Sequence, residues 1–539
     1  MEWVAVPRES QLLNSVPRAH SSPGCSRAPR EPQMPKYACD RLTAQDNSFL
    51  LLERGNVLMH VASALVCDAG PLRKRDGGID IDTFKRATES FLHLVPRYRQ
   101  RLYAIPFFDH AVWVDDPHFD IDYHIRHTAL PVPGSAEQLK RLSARIMAQR
   151  LDRKRPLWET WIVEGLEADR FAMITKIHHC MIDGESGVDL AYIQMSPTPE
   201  VPELAKPLAF YPRTAPSRFE LWRDEVARQF GIPFQIVRDF RQFTADAEDL
   251  GEELRTRAKA VVNTLGMGTS ADDTPINGRV GPHRRFDWLS CQIDDLKAVR
   301  KAWGCTINDV VLTIVTGAIR AYLISRNVNP ATIDFRVSSP VSVRTEQERG
   351  KLGNRVSSWI IPLPIGLAKP REQLDAIHAQ TRELKESRQV LGVEMMMQVA
   401  EWTPSVLLSL GARAMSGPIN TIVTNVPGPK IPLYFHGARV RELYPMVPLM
   451  EGMGLGIAVT SYAGTMNFGF NADPDIVPDL DHFTALMRKS LERVAEEAGV
   501  ALSSAASPPA AARREKKEDV KADAPAAPRA NGNGPVAAT

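Results

Sequence analysis

From Gly452 to Ala472 the chain runs for 21 residues without a charged side chain. A helix of that length spans a bilayer core, so length alone permits a membrane protein. Residue order argues the other way. The run holds five glycines together with Thr, Ser, Tyr and Asn, and it alternates in the manner of a β-hairpin. Each glycine inside a helix costs about 1 kcal/mol relative to alanine. The run therefore reads as sheet, and the chain as a soluble protein with at most peripheral membrane contact.

At 539 residues the chain exceeds what one hydrophobic core usually organises, so two folded domains are expected. Residues 1–36 carry five Lys/Arg against three Asp/Glu, and residues 503–539 carry six against four. With a formal net charge of +2 overall, the central body is left slightly acidic. Phosphate-backbone binding needs a basic footprint that this body lacks, which argues against nucleic acid as a partner. The six cysteines (25, 39, 67, 180, 291, 305) show no CxxC or regular spacing, as expected of reduced thiols in the cytoplasm.

Residues 1–36 are rich in Pro, Ser and Arg without hydrophobic period, and are expected to be disordered. Patterned sequence begins near Met34, a candidate start. Residues 503–539 form a low-complexity tail. Between them strands and helices alternate. Ser135 and Gln138 make a capping-box signal ahead of Leu139, Leu142, Ile146 and Met147 at helical spacing. Phe171 to Ile177 reads as a buried strand, and "SGVDLAYIQM" after it as helix. A Pro-rich and helical linker is expected over 196–280, with Trp222, Phe230, Phe234, Phe240 and Phe243 in a charged amphipathic region. The half from 281 to 502 contains a buried-helix candidate, "INDVVLTIVTGAIRAYLI", and closes on a helix that Gly499 stops. The sum is two α/β halves, 37–195 and 281–502, joined by a helical linker.

Chemistry concentrates in "KIHHCMIDGES", Lys176 to Ser186. Neighbouring side chains on a strand point to opposite faces, so His178 and His179 are poorly placed to chelate one ion. No metal is expected. One imidazole at the end of a buried strand can instead serve as a general base near neutral pH. Asp183 and Gly184 then supply a tight return that locks the loop. Taken by spacing alone, a packed histidine pair followed by an Asp-Gly turn is the favoured reading of the motif.

The flanks carry a resemblance. "HHCMIDG" resembles the HHxxxDG signature of the CoA-dependent acyltransferase superfamily, which includes chloramphenicol acetyltransferase and peptide-synthetase condensation domains. The longer stretch "LDRKRPLWETWIVEGLEADRFAMITKIHHCMIDG" is similar to the bacterial wax ester synthase/diacylglycerol acyltransferase family. "LTAQDNSFLLLERGNVLMHV", "INGRVGPHRRFDW", "GCTINDVVLTIVTGAIRAYL", "PVSVR", "LGNRVSS" and "TNVPGPK" follow in the family's order, covering roughly residues 40 to 500.

The resemblance implies two chloramphenicol-acetyltransferase-like halves of α/β (α+β) class meeting at a channel. Acyl-CoA enters as co-substrate, and a lipid alcohol, diacylglycerol or a long-chain alcohol, is the acceptor. No cofactor is implied. By position His179 matches the base and Asp183 the mainly structural aspartate, with His178 and Gly184 shaping the loop. Asn308 and Asp309 match the family's Asn-Asp pair, read here as structural or capping. Pro156, Leu157 and Trp158 are channel-wall candidates, with core packing the favoured reading of Trp158. Two alternatives stay open: an acyltransferase for a specialised, polyketide-like alcohol, and a catalytically silent lipid-binding homologue. Cys180 as nucleophile is disfavoured, because it faces away from His179 on an extended strand.

Overall fold

The computed structural model describes residues 38–182, 184–201, 203–230, 271–342, 356–386 and 419–503. The expectations for both tails, Met34, Asp183, Phe234, Phe240, Phe243, the last two residues of "PVSVR" and most of "LGNRVSS" lie outside these residues.

The first half contains strands β1 (Asp40–Arg41), β2 (His60–Asp68), β3 (Gln100–Ala104), β4 (Ala111–Asp115), β5 (Ile125–Ala129), β6 (Trp158–Leu166) and β7 (Arg170–His178). Its helices are α1 (Ala44–Leu52), α2 (Ile81–Phe91), α3 (Ile121–His124), α4 (Ala136–Met147) and α5 (Gly184–Gln194). The second half adds β8 (Asn277–Gly278), β9 (Arg285–Gln292), β10 (Arg336–Ser342), β11 (Val356–Pro362) and β12 (Thr421–Val426). Then come β13 (Tyr434–Phe435), β14 (Ala438–Met446), β15 (Gly452–Met453), β16 (Leu455–Tyr462) and β17 (Thr465–Ala472).

These strands build two six-stranded mixed sheets. One has the order β11-β10-β12-β16-β17-β9, and the other β13-β14-β2-β7-β6-β5. The uncharged run from Gly452 is the β16–β17 hairpin, as its alternation implied. Gly469 on β17 shows why side chains are small there: a Cβ would sit 1.8 Å from the carbonyl oxygen of Pro445 on β14. The buried-helix candidate is Ile307–Ser325, capped by Thr306 and fully packed along most of its length. Length and composition would let it cross a membrane, yet 67% of its apolar window is buried inside the fold. Its burial against Phe468, Phe470, Phe483 and Leu491 makes it the central core helix of the second half.

Two domain boundaries differ from those expected. Residues 271–280, expected in the linker, join the second half, where β8 pairs with β15. Residues 434–446, which the sequence pattern assigns to the second half, belong to the first half's sheet. β14 lies antiparallel to β2, with Leu443 opposite Leu65 and Met446 opposite Ala62. Arg441 donates to both carboxylate oxygens of Asp68 at 2.9 Å, across 373 residues of sequence. β2 carries Ala64, Leu65, Val66 and Cys67 as buried residues, and an open edge there would leave backbone polar groups unpaired beside the core. Local patterning shows that β14 is a strand but not whose edge it covers.

The described first part of the linker, up to residue 230, is fastened to the first half. Arg213 grips Asp115 with its backbone N–H, Nε and Nη2, at 2.9–3.0 Å. Arg41 pairs with Glu225 of the helix over 218–230. Leu221 is buried against Ile105, Val112 and Val114 of the small sheet β1-β4-β3.

Candidate active site

The strand β7 delivers the histidine doublet, and its end is held from both sides. The N–H of His178 donates to Leu157 O at 2.9 Å, and that of His179 to Met59 O at 2.8 Å. Consecutive N–H groups thus point to opposite neighbours, and the two side chains part as strand geometry requires.

His178 turns into the protein and is 1% exposed. Its Nε2 lies 2.7 Å from Glu53 Oε2, and its Nδ1 accepts the Cys180 N–H at 3.2 Å. A nitrogen that accepts from a backbone amide carries no proton, so the proton sits on Nε2 and points at the carboxylate. Burial pulls the His178 pKa below its ordinary value even though Glu53 opposes the shift. His178 is therefore a neutral, single-tautomer imidazole with both nitrogens occupied. It is available neither as a base nor as a metal ligand.

His179 is half-buried and stacks on Phe49, ring centroids 4.1 Å apart at 18°. Of the two histidines, it is the one held near the surface of the strand end. Cys180 is buried at 3% exposure, and burial together with Asp46 pushes its thiol well above the ordinary range. A nucleophilic thiolate needs the opposite environment.

Beneath the doublet lies a charged cluster that sequence reasoning missed. Glu53, the C-cap of α1, is 1% exposed and holds Arg150 at 2.9 Å and Arg153 at 3.6 Å through Oε1. Burial pushes its pKa up, but His178, Arg153 and Arg150 together bring it below the ordinary value, so it is ionised. His60 faces His178 across the β2–β7 pair, edge-on at 5.7 Å, with its Nε2 3.7 Å from Glu53. Burial, then Lys176 and His178, hold its pKa well down. One signal was present in the sequence: an acidic residue at a helix C-terminus opposes the macrodipole and needs compensation, and "RLDRKR" supplies it.

Lys176 on the same strand is fully buried and saturated. It donates to Ile146 O and Gln149 O, both at 2.8 Å, and meets Glu159 at 2.7 Å. It caps the C-terminal end of α4 with a positive charge, the favourable sign for that end.

The remaining candidates fall in three places. Asp183 lies outside the described residues, and Gly184 opens α5. Asn308 and Asp309 are inside the helix they were expected to cap. Thr306 is the cap, and Asp309 closes the capping box while accepting from Thr381 at 2.9 Å and meeting His378 Nδ1 at 2.8 Å. Asn308 Oδ1 accepts from Asn425 at 3.2 Å, tying that helix to the strand ahead of Pro427-Gly428-Pro429. Both residues are braces of the second half.

Pro156, Leu157 and Trp158 are all buried. Trp158 stacks between Tyr98 at 4.5 Å and His124 at 4.4 Å, and its indole N–H donates to Tyr98 O at 2.9 Å. A tryptophan with both faces and its N–H engaged is core packing. Core packing, the favoured reading of Trp158, is what these contacts describe, and Leu157 O holds His178 from below.

Residues 42–311 match the family description "Wax ester synthase/diacylglycerol acyltransferase catalytic domain", and 352–495 match its C-terminal domain. A Mycobacterium tuberculosis protein described as a probable diacylglycerol O-acyltransferase is 32% identical over 450 residues, 82% of this chain and 92% of the relative. The structure of the wax ester synthase/diacylglycerol acyltransferase from Marinobacter aquaeolei VT8 superposes with a TM-score of 0.60 at 25% identity, over 86% of this chain and all of that one. The first condensation domain of the calcium-dependent antibiotic synthetase shares the fold, with a TM-score of 0.54 at 17% identity, over 87% of this chain and 99% of that one. With both family domains in order around a histidine doublet at a strand end, the chain belongs to the wax ester synthase/diacylglycerol acyltransferase family.

Proposed function

We propose that the chain moves a fatty acyl group from acyl-CoA to the hydroxyl of diacylglycerol or a long-chain alcohol, with His179 as general base. The observation that carries the assignment of the base is the division of labour in the doublet: His178 has both nitrogens committed inside the fold, while His179 sits half-buried at the strand end.

An alcohol is a poor nucleophile at neutral pH, whereas a thioester is already activated, so one base at the hydroxyl is the main chemical requirement. His179 takes the hydroxyl proton as oxygen attacks the thioester carbon. The C–O bond forms, the C–S bond breaks, and the proton passes to the departing CoA sulfur. The products are an ester and free CoA, without an acyl-enzyme and without a cofactor. The test supplies palmitoyl-CoA with diolein or hexadecanol to the full-length protein and follows CoA release and ester formation. Absence of both products from folded protein overturns the reading.

The acceptor is lipid, and the reading extends to a cytoplasmic enzyme with peripheral contact at a membrane or lipid inclusion. Tyr211 (83% exposed), Phe219 (66%) and Phe230 (76%) support that extension, lying on the linker segment and the helix over 218–230. Exposed aromatics of this kind suit a lipid–water boundary. Flotation with phosphatidylcholine vesicles tests it: Trp222→Glu/Phe230→Glu is expected to stay with the soluble fraction, and unchanged flotation removes the surface from the reading.

A further inference from the structure

Helix α1 touches both histidines. Phe49 lies against His179, and Glu53, four residues on and so over the same face, meets His178. The Glu53 N–H donates to Phe49 O at 3.2 Å, so the two contacts share one turn of backbone. The turn is anchored elsewhere as well. Arg153 donates to Leu50 O at 3.0 Å and Arg150 to Gly55 O at 2.8 Å, beside their contacts with Glu53. Asn56, three residues past Glu53, donates to Val280 O at 3.2 Å, which fastens the loop to the second half.

Each partner of His178 fixes the other. With Nδ1 accepting from Cys180, only Nε2 carries a proton, and that proton needs an acceptor at the place Glu53 occupies. Without that acceptor the ring has a buried N–H and no reason to stay in one tautomer or one orientation. The peptide between His179 and Cys180 is then released at its Cys180 N–H, immediately after the proposed base.

We propose that Glu53 is a positioning residue of the acyl transfer, acting through His178: its carboxylate oxygen fixes the tautomer of His178, which fixes the backbone that presents His179. This rests on the reading of His179 as the base. What the site requires from Glu53 is an acceptor at hydrogen-bond distance; its negative charge serves the two arginines and the stability of the loop.

Two substitutions separate these roles in the full-length protein. Glu53→Asp keeps the charge for Arg150 and Arg153 but is one methylene too short to reach His178. Glu53→Gln keeps an acceptor oxygen at the same reach and loses the charge; the Cys180 N–H, by holding Nδ1 as acceptor, selects the amide oxygen toward Nε2. Both retain a polar group, and melting temperature reports folding.

Glu53→Asp is expected to lower kcat about 100-fold, as displacements near 1 Å in a catalytic constellation do, with KM for palmitoyl-CoA unchanged within about threefold. Glu53→Gln is expected to keep kcat within about threefold of wild type despite a lower melting temperature. Side-chain nitrogen spectra of protein labelled with 15N-histidine, with His178→Ala identifying the signal, are expected to show His178 as the Nε2–H tautomer in wild type and Glu53→Gln, and as a mixture in Glu53→Asp. A Glu53→Asp enzyme as fast as or faster than Glu53→Gln, or an unmoved His178 signal in Glu53→Asp, overturns the proposal. His179→Ala in the same assay keeps the two readings apart. Full activity there removes the base, whatever Glu53 does.

Discussion

The two six-stranded sheets differ in what they bury. The second half surrounds its central helix with Val, Ile, Leu and Phe; apart from the buried Asp309, the polar groups against it are mainly hydroxyls that donate to the helix's own carbonyls. Thr313 donates to Asp309 O at 2.8 Å, Thr316 to Leu312 O at 2.7 Å and Ser490 to Ile314 O at 2.7 Å. The first half buries Glu53, Glu159, Lys176 and the imidazoles of His60, His110, His124 and His178. Buried charges contribute little to stability beyond what apolar packing supplies, and they are costly when one partner is lost. The grouping of Glu53 and His60 around His178 fits a half built to hold one side chain in place. The asymmetry extends to topology: the first sheet is completed by β13 and β14 from the second half, while among the described residues the second sheet takes no strand from the first.

The most severe break of that comparison is to separate the halves. Residues 38–280 expressed alone lack the strands that cover β2 and are expected to show no cooperative thermal transition. A sharp transition there would show that β13 and β14 are dispensable. Next in size is His179→Ala, expected to reduce kcat/KM about 1,000-fold, within the span a general base supplies, while the melting temperature moves little.

Acid should also discriminate between the halves. Burial holds His110 and His124 at about 4, against an ordinary 6.5. For each, the unfolded chain binds the proton first, so its stabilisation is present above pH 6.5 and is lost as pH falls toward 4. Each accounts for about 3 kcal/mol over that window. Glu53, depressed below 4.5, adds a further loss as pH falls below that value. Urea unfolding from pH 7 to 4.5 is expected to show the first half failing first, and replacing His124 with Phe should flatten the slope.

In the second half, Leu312→Ala removes a fully buried side chain and is expected to cost about 2–5 kcal/mol, with kcat per folded molecule unchanged. A fall in kcat would show that the two interiors are coupled. Smallest is Asn308→Ala, which loses the single bond to Asn425 and should cost about 1 kcal/mol by chemical denaturation.

Much of this was legible in residue order. The alternation of Gly452–Ala472, the capping box at Ser135, the apolar helix after Thr306 and the delivery of the doublet by a buried strand are local patterns, and local patterns are set by backbone periodicity and side-chain size. The parting of the His178 and His179 side chains was legible too, because adjacent residues on a strand must face apart; which of them would serve as base came only with the family resemblance. The residues that give the doublet its setting were not legible. Glu53 meets His178 across 125 positions and β14 meets β2 across more than 370. A sequence determines which faces are apolar and which ends are capped, since those follow from neighbours along the chain. Which buried carboxylate finds which imidazole, and which strand closes which edge, was decided only when the two halves packed. Those choices are made by desolvation and by the need to pair every buried polar group, neither of which acts until distant segments meet.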